Sequence, residues 1–229
     1  SAVGAGLTVT GASAANNSAP GRGVDTIDGG GGADVISAGG GDDTISYRGT
    51  ETSIDAGSGN DWLVLAASGG VTAVNLTSGT DQTTGDTVTV TNFEYVNASA
   101  LSTGISITGT SGTNFLTGST GNDTIDGNGG ADVIGGGTGN DSVTYRGAES
   151  SIDGGSGTNT LVMATAATVS LASADQTVGD LVTVTNFQNV DASALSTGVS
   201  IGGTSGVNAI TGGTGDDSID GGGGADTLT

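Results

Sequence analysis

Aspartate recurs in this chain on an interval of nine residues. Asp25, Asp34, Asp43 and Asp61 share one phase, and Asp123, Asp132, Asp141, Asp217 and Asp226 repeat it further on. Asn16, Asn114, Asn159 and Asn208 stand at the same place in the pattern. The chain has no histidine and no cysteine. It therefore lacks the commonest general base, any thiol nucleophile and the usual zinc ligands. What remains is a set of regularly spaced side-chain oxygens beside glycine-rich backbone. That set suits a hard cation. Ca²⁺ takes about six to eight oxygens from carboxylates and carbonyls in flexible geometry, whereas Mg²⁺ demands a tighter octahedron and keeps its water.

The elements that must position these oxygens can be read from the same interval. From residue 29 the chain runs GGGGADVIS, AGGGDDTIS, YRGTETSID and AGSGNDWLV. From residue 109 it runs GTSGTNFLT, GSTGNDTID, GNGGADVIG, GGTGNDSVT, YRGAESSID and GGSGTNTLV, and from residue 203 GTSGVNAIT, GGTGDDSID and GGGGADTLT. The template is G-G-x-G-x-D-x-U-x, with U apolar. Position eight (Ile27, Ile36, Ile45, Ile54, Leu63) is apolar, so a three-residue strand closes each nonapeptide with that residue turned inward. The first six residues form a tight turn that needs positive φ and space beside the backbone. Two nonapeptides make one coil, and stacked coils bring equivalent residues into register. Such a coil buries few side chains, orders many glycines and stacks like charges. A bound cation offsets all three deficits.

A longer repeat encloses the short one. Ser53, Ile54 and Asp55 return as Ser151, Ile152 and Asp153, and residues 81–112 return as 175–206. Residues 1–11 match 99–109, so the chain carries two full long repeats and the start of a third. Between the nonapeptide arrays, residues 65–108 and 163–202 alternate polar and apolar residues at period two, as strands do. Phe93 and Phe187, with Val96 and Val190, predict a larger core there. These spacers are expected to continue the solenoid as larger, metal-poor coils; a separate small sandwich is the other arrangement.

Composition narrows the function. Three Lys+Arg against 24 Asp+Glu give a formal net charge of −21. Arg22, Arg48 and Arg146 are too few to neutralise a row of phosphates, so nucleic-acid binding is excluded, as is docking on anionic membranes. No apolar run approaches the ~20 residues of a membrane span. No signal peptide opens the chain, and its phase within the long repeat suggests an excerpt of a longer chain or a unit that stacks end to end.

The nonapeptide is a recognised calcium-binding β-helix motif, and the arrays resemble the RTX (repeats-in-toxin) family of secreted bacterial proteins. Alternation with Val/Thr-rich spacers resembles its large adhesins and S-layer-like surface proteins. The resemblance implies an all-β, parallel β-solenoid (β-roll). Array one spans 11–64, array two 109–162 and array three 203–229, with 1–10 the end of a preceding spacer. It also implies ions held between stacked turns by pairs of position-six side chains plus turn carbonyls. The expected ligands are Asp25, Asp34, Asp43, Asp61, Asn114, Asp123, Asp132, Asp141, Asn159, Asn208, Asp217 and Asp226. Asp25 with Asp43, Asp43 with Asp61, and Asp123 with Asp141 form the best pairs.

Turns two nonapeptides apart share an edge of the coil. One edge is expected to carry Asp25, Asp43, Asp61, Asp123, Asp141, Asn159 and Asp217. The other is expected to carry Asn16, Asp34, Thr52, Asn114, Asp132, Ser150, Asn208 and Asp226. Thr52 and Ser150 replace Asp in the two YRG repeats, where weak or absent sites are expected. Arg48 and Arg146 are expected there to stand in for a cation beside acids such as Glu51 and Glu149. Position-five acids (Asp42, Asp216) and position-nine acids (Asp28, Asp55, Asp126, Asp153, Asp220) are read as solvated faces, and Trp62 as a surface cover. No catalytic residue is expected, and ice binding or polysaccharide cleavage ranks low. The expected function is an extracellular, cell-surface structural protein that folds on Ca²⁺ after export. Its partners would be calcium ions and either further copies of itself or cell-surface components. The alternative is the calcium-triggered folding module of a larger RTX toxin or enzyme.

Overall fold

In the computed structural model, which describes residues 6–19, 21–66 and 69–229, the chain winds into a β-solenoid of about 12 turns, with no helix among the described residues. Residues 1–5, part of the expected opening spacer segment, lie outside the described residues.

The inward period-two residues set the architecture. One face is a nine-stranded parallel sheet: Thr8–Thr10, Thr26–Asp28, Thr44–Tyr47, Trp62–Leu65, Tyr95–Asn97, Phe115–Thr117, Val133–Gly135, Ser151–Asp153 and Thr183–Thr185. Its register stacks Ile27 on Ile45 and Leu63, then Val96, Leu116, Ile134, Ile152 and Val184, all buried. On the opposite face, Val74, Ile107, Ile125, Val143, Leu161, Val190 and Ile210 form the matching ladder. Each nonapeptide layer therefore contributes few aliphatic side chains to the core, whereas the spacer layers add Val71, Leu76, Val88, Phe93 and Leu101.

The spacers continue both faces. Tyr95–Asn97 bridges Trp62–Leu65 and Phe115–Thr117, and Thr89–Thr91 pairs with Ser53–Ser58. Each spacer also inserts an antiparallel ribbon, Ala73–Asn75 with Thr83–Thr84, and Thr168–Ser170 with Thr177–Val178. A buried glutamine organises each insertion. Gln82 Nε2 donates to the carbonyls of Leu76 and Phe93 (3.1 and 3.0 Å), and its Oε1 accepts the Phe93 N–H at 2.8 Å. Gln176 repeats this with Leu171 and Phe187.

Equivalent residues of the two copies fall on opposite faces. Ser53–Ser58 belongs to the sheet of Val35–Gly40, whereas Ser151–Asp153 continues the sheet of Thr26–Asp28. One long repeat therefore advances the solenoid by a half-integral number of coils. The first ribbon is inserted in one face and the second in the other.

Trp62, Tyr95 and Phe115 stand in register on the outside of the first face, with ring centroids 5.2 Å (Trp62–Tyr95) and 4.9 Å (Tyr95–Phe115) apart. Trp62 thus covers the solenoid surface as expected. The second copy has Thr160, Asn189 and Ala209 at these positions, so the fold itself does not need the aromatic row.

Candidate metal centre

Each turn between strands ends on a position-six residue whose side chain folds back under the neighbouring coil. The rungs are regular. Asp43 Oδ1 accepts the backbone N–H of Asp25 at 2.7 Å, and Asp61 Oδ1 accepts that of Asp43 at 2.6 Å. Asp34 receives Asn16, Asp132 receives Asn114, and Asp141 receives Asp123, at 2.7, 2.7 and 2.9 Å. Asp226 receives Asn208 at 2.9 Å, and Asp217 receives Val199 at 3.0 Å. Position six thus joins coil to coil, and the three best pairs expected from sequence are adjacent rungs.

The second oxygen distinguishes two kinds of turn. In the first, positions two and four have positive φ, as at Gly39 (106°) and Gly41 (120°) before Asp43. Asn128 (69°) takes position two before Asp132, a substitution that left-handed backbone tolerates in asparagine. In turns of this kind Oδ2 of Asp25, Asp34, Asp43, Asp61, Asp132 and Asp141 is buried and has no hydrogen-bond partner. It lies close over its own turn: a Cβ added at Gly136 would come 2.6 Å from Asp141 Oδ2. In the second kind, which opens arrays two and three, positions two and four are not left-handed. The turn closes on its own side chain, Ser119 N–H and Oγ donating to Asp123 at 2.6 and 2.8 Å. Asn114 and Asn208 likewise accept the N–H of Thr110 and Thr204.

Six buried carboxylate oxygens without partners fit a cation. An uncompensated buried charge costs several kcal/mol, and a native fold resolves it by pairing, protonation or a metal. Among the described residues no three His, Cys, Asp or Glu side chains converge on one point. The acids come as stacked pairs, so the other oxygens of a calcium shell are left to turn carbonyls, which suits this ion. Burial raises the carboxyl pKa at four rungs, Asp43, Asp61, Asp132 and Asp141. For Asp61 it reaches about 7, burial outweighing the Asp43 N–H, with Glu94 and Asp43 adding like charge. For Asp132 it reaches about 6, burial again opposing the Asn114 N–H, with Glu149 adding charge. Asp43 and Asp141 are raised by the same burial.

The asparagines behave differently. Asn159 Nδ2 donates to the carbonyls of Asn186 (3.0 Å) and Gly155 (3.4 Å), Asn114 Nδ2 to Glu94, and Asn208 Nδ2 to Gln188. An amide N–H here meets carbonyls that a carboxylate could approach only through a proton or a cation.

The expected edges are not those of the structure. Asp25, Asp43 and Asp61 are followed on their edge by Glu94, Asn114 and Asp132; Asp123, Asp141 and Asn159 are followed on the other by Gln188, Asn208 and Asp226. The half-coil advance of the long repeat crosses the edges. The expected pairs survive because they lie within single arrays. Glu94 and Gln188, which carry the ladder across the spacers, lie outside the nonapeptide and were not anticipated. Their only signal is their common place two residues after Asn92 and Asn186.

The YRG turns also differ from expectation. Glu51 and Glu149 are buried and accept N–H groups of their own turns, Arg48 and Thr50 in one, Arg146 and Ala148 in the other. The guanidinium reaches the position-nine acid instead. Arg48 pairs with Asp28 through two bonds of 2.7 and 2.6 Å, and Arg146 with Asp126 at 2.9 and 2.7 Å. These hydrogen bonds hold both Asp carboxyls below their ordinary pKa. Asp28 and Asp126 are therefore ion-paired rather than merely solvated. The tyrosines of these repeats are core residues whose hydroxyls donate to spacer acids, Tyr47 to Asp86 and Tyr145 to Asp180.

A parallel solenoid with glycine turns and stacked buried aspartates is a structural cation-binding scaffold. The family model of the RTX calcium-binding nonapeptide repeat, four copies long, matches residues 21–49, 108–143 and 202–229. These three segments are RTX calcium-binding nonapeptide repeats, which bind Ca²⁺, and the solenoid they wind fits a β-roll. No curated protein matches it in sequence. No helix among the described residues is long and apolar enough to cross a membrane.

Proposed function

We propose that this chain is an extracellular structural repeat, of the adhesin-stalk or S-layer-like kind, that stays expanded in a low-calcium cytosol and folds around Ca²⁺ after export. RTX proteins are typically exported by type I secretion. The observation that carries the reading is the row of buried, partnerless Oδ2 atoms on Asp25, Asp34, Asp43, Asp61, Asp132 and Asp141. A fold that leaves these anions unmatched is poised for a cation and poorly stable without one. Asp123, Asp217 and Asp226 supply neighbouring oxygens to the same ladders, whereas Asn114, Asn159 and Asn208 close their turns with their own amides. Spacers that run within the sheets favour a continuous rod over a tail attached to a catalytic domain.

Calorimetric calcium titration tests this. Weak sites of about 10⁻⁴–10⁻³ M, typical of extracellular modules, are expected. Sub-micromolar sites would fold the chain before export and would overturn the reading.

A further inference from the structure

The two copies differ at the rung that joins an array to its spacer. In copy one, Asp61 N–H donates to Glu94 Oε2 at 2.8 Å; in copy two, Asn159 N–H donates to Gln188 Oε1 at 2.7 Å. The backbone around them is the same. Residues 94 and 95 donate to the Asp61 carbonyl as 188 and 189 do to that of Asn159, and Asn92 and Asn186 both have φ of 65°. Only the chemistry changes, two acids against two amides.

That change leaves opposite results. Asn159 Nδ2 is satisfied by the Asn186 and Gly155 carbonyls. Asn92 and Gly57 hold the corresponding places in copy one, where Asp61 offers an oxygen in place of an N–H. Its Oδ2 is fully buried and has no partner, while Glu94 beside it is only half-buried. We propose that Asp61 and Glu94 form a cation site at the junction of the first array with its spacer, taking a hard divalent ion of the Ca²⁺ class, and that the Asn159–Gln188 rung is its amide-closed, ion-free counterpart. The site lies outside the nonapeptide template, since Glu94 belongs to the spacer. It rests on the calcium reading above. It makes the array-to-spacer joint of copy one calcium-dependent and that of copy two permanently closed.

The test is calcium stoichiometry by equilibrium dialysis on the whole chain, with Glu94→Gln as the variant. Gln188 shows that an amide keeps the backbone bond, so this variant is expected to fold with unchanged circular dichroism. The proposal predicts one ion fewer per chain and a loss of the calcium-induced change in emission of Trp62, the single indole, next to Asp61 in sequence. The converse variant, Asn159→Asp with Gln188→Glu, gains one ion. Unchanged stoichiometry in Glu94→Gln, with several ions still bound, overturns the junction site alone. A wild-type chain that binds no calcium overturns the broader reading as well.

Discussion

Asp25 donates its backbone N–H to Asp43 Oδ1, and Asp43 in turn donates its own N–H to Asp61 Oδ1. Asp43 is thus the middle rung of three, with an unmatched oxygen on each. Asp43→Ala removes one rung bond and, on the proposed reading, a ligand shared by two ion positions. The expected result is loss of cooperativity and a several-fold higher calcium midpoint for array one. Asp43→Asn keeps the rung bond, as Asn159 does beneath Asp141. It should retain the calcium-free hydrogen bonding yet weaken ion binding nearly as much. If the two variants bind calcium equally well as wild type, Asp43 is a turn residue only.

Calcium-free stability should fall as pH rises. Asp61 and Asp132 titrate near 7 and 6 in the fold but near 4 when unfolded. The folded chain therefore holds more protons across that window. The stabilisation is complete below about pH 4 and is lost as pH climbs through 6–7. With chelator present, β-type circular dichroism should be stronger at pH 5 than at pH 7.5. Saturating calcium should reverse the order, since protons then compete with the ion.

The Tyr47 and Tyr145 hydroxyls tie the YRG coils to the spacers through Asp86 and Asp180. Burial and these acids raise both phenols above their ordinary pKa. Tyr47→Phe strands one acid and should cost about 1–3 kcal/mol in calcium-saturated melts. Both tyrosines should titrate above the ordinary phenol range by ultraviolet absorbance.

Gln82 satisfies three buried backbone groups, the carbonyls of Leu76 and Phe93 and the N–H of Phe93. Gln82→Leu leaves them buried and bare, at about 1–3 kcal/mol each, and should unfold spacer one selectively. Arg48→Ala, by contrast, breaks a partly exposed pair and should cost under about 1 kcal/mol. Chemical denaturation of each variant in saturating calcium measures both.

The solenoid was legible because its signal is redundant. Ile27, Ile45 and Leu63 repeat one inward position, and glycine marks each turn. The rungs were legible for the same reason. The edges were not, because residues 65–108 give no sign that they add a half-integral number of coils. Nor were the two turn kinds. GGTGND before Ser142 and GGTGDD before Ser218 are nearly identical in sequence, yet only the first has left-handed residues at positions two and four. The second stacks on a spacer coil, through Gly215 against Gly198, and the neighbour decides. The arginine partners were missed because Arg48 reaches across coils to Asp28, 20 residues back, rather than to Glu51 in its own turn.

The most direct measurement is thermal unfolding of the whole chain followed by far-ultraviolet circular dichroism, first in chelator at pH 7.5 and then with millimolar Ca²⁺ added back. An expanded, non-cooperative chain that gains β signal and a sharp melt on calcium addition is the predicted result. A cooperative melt at the same temperature in chelator would contradict it, because the aliphatic ladders alone would then suffice to hold the coils together.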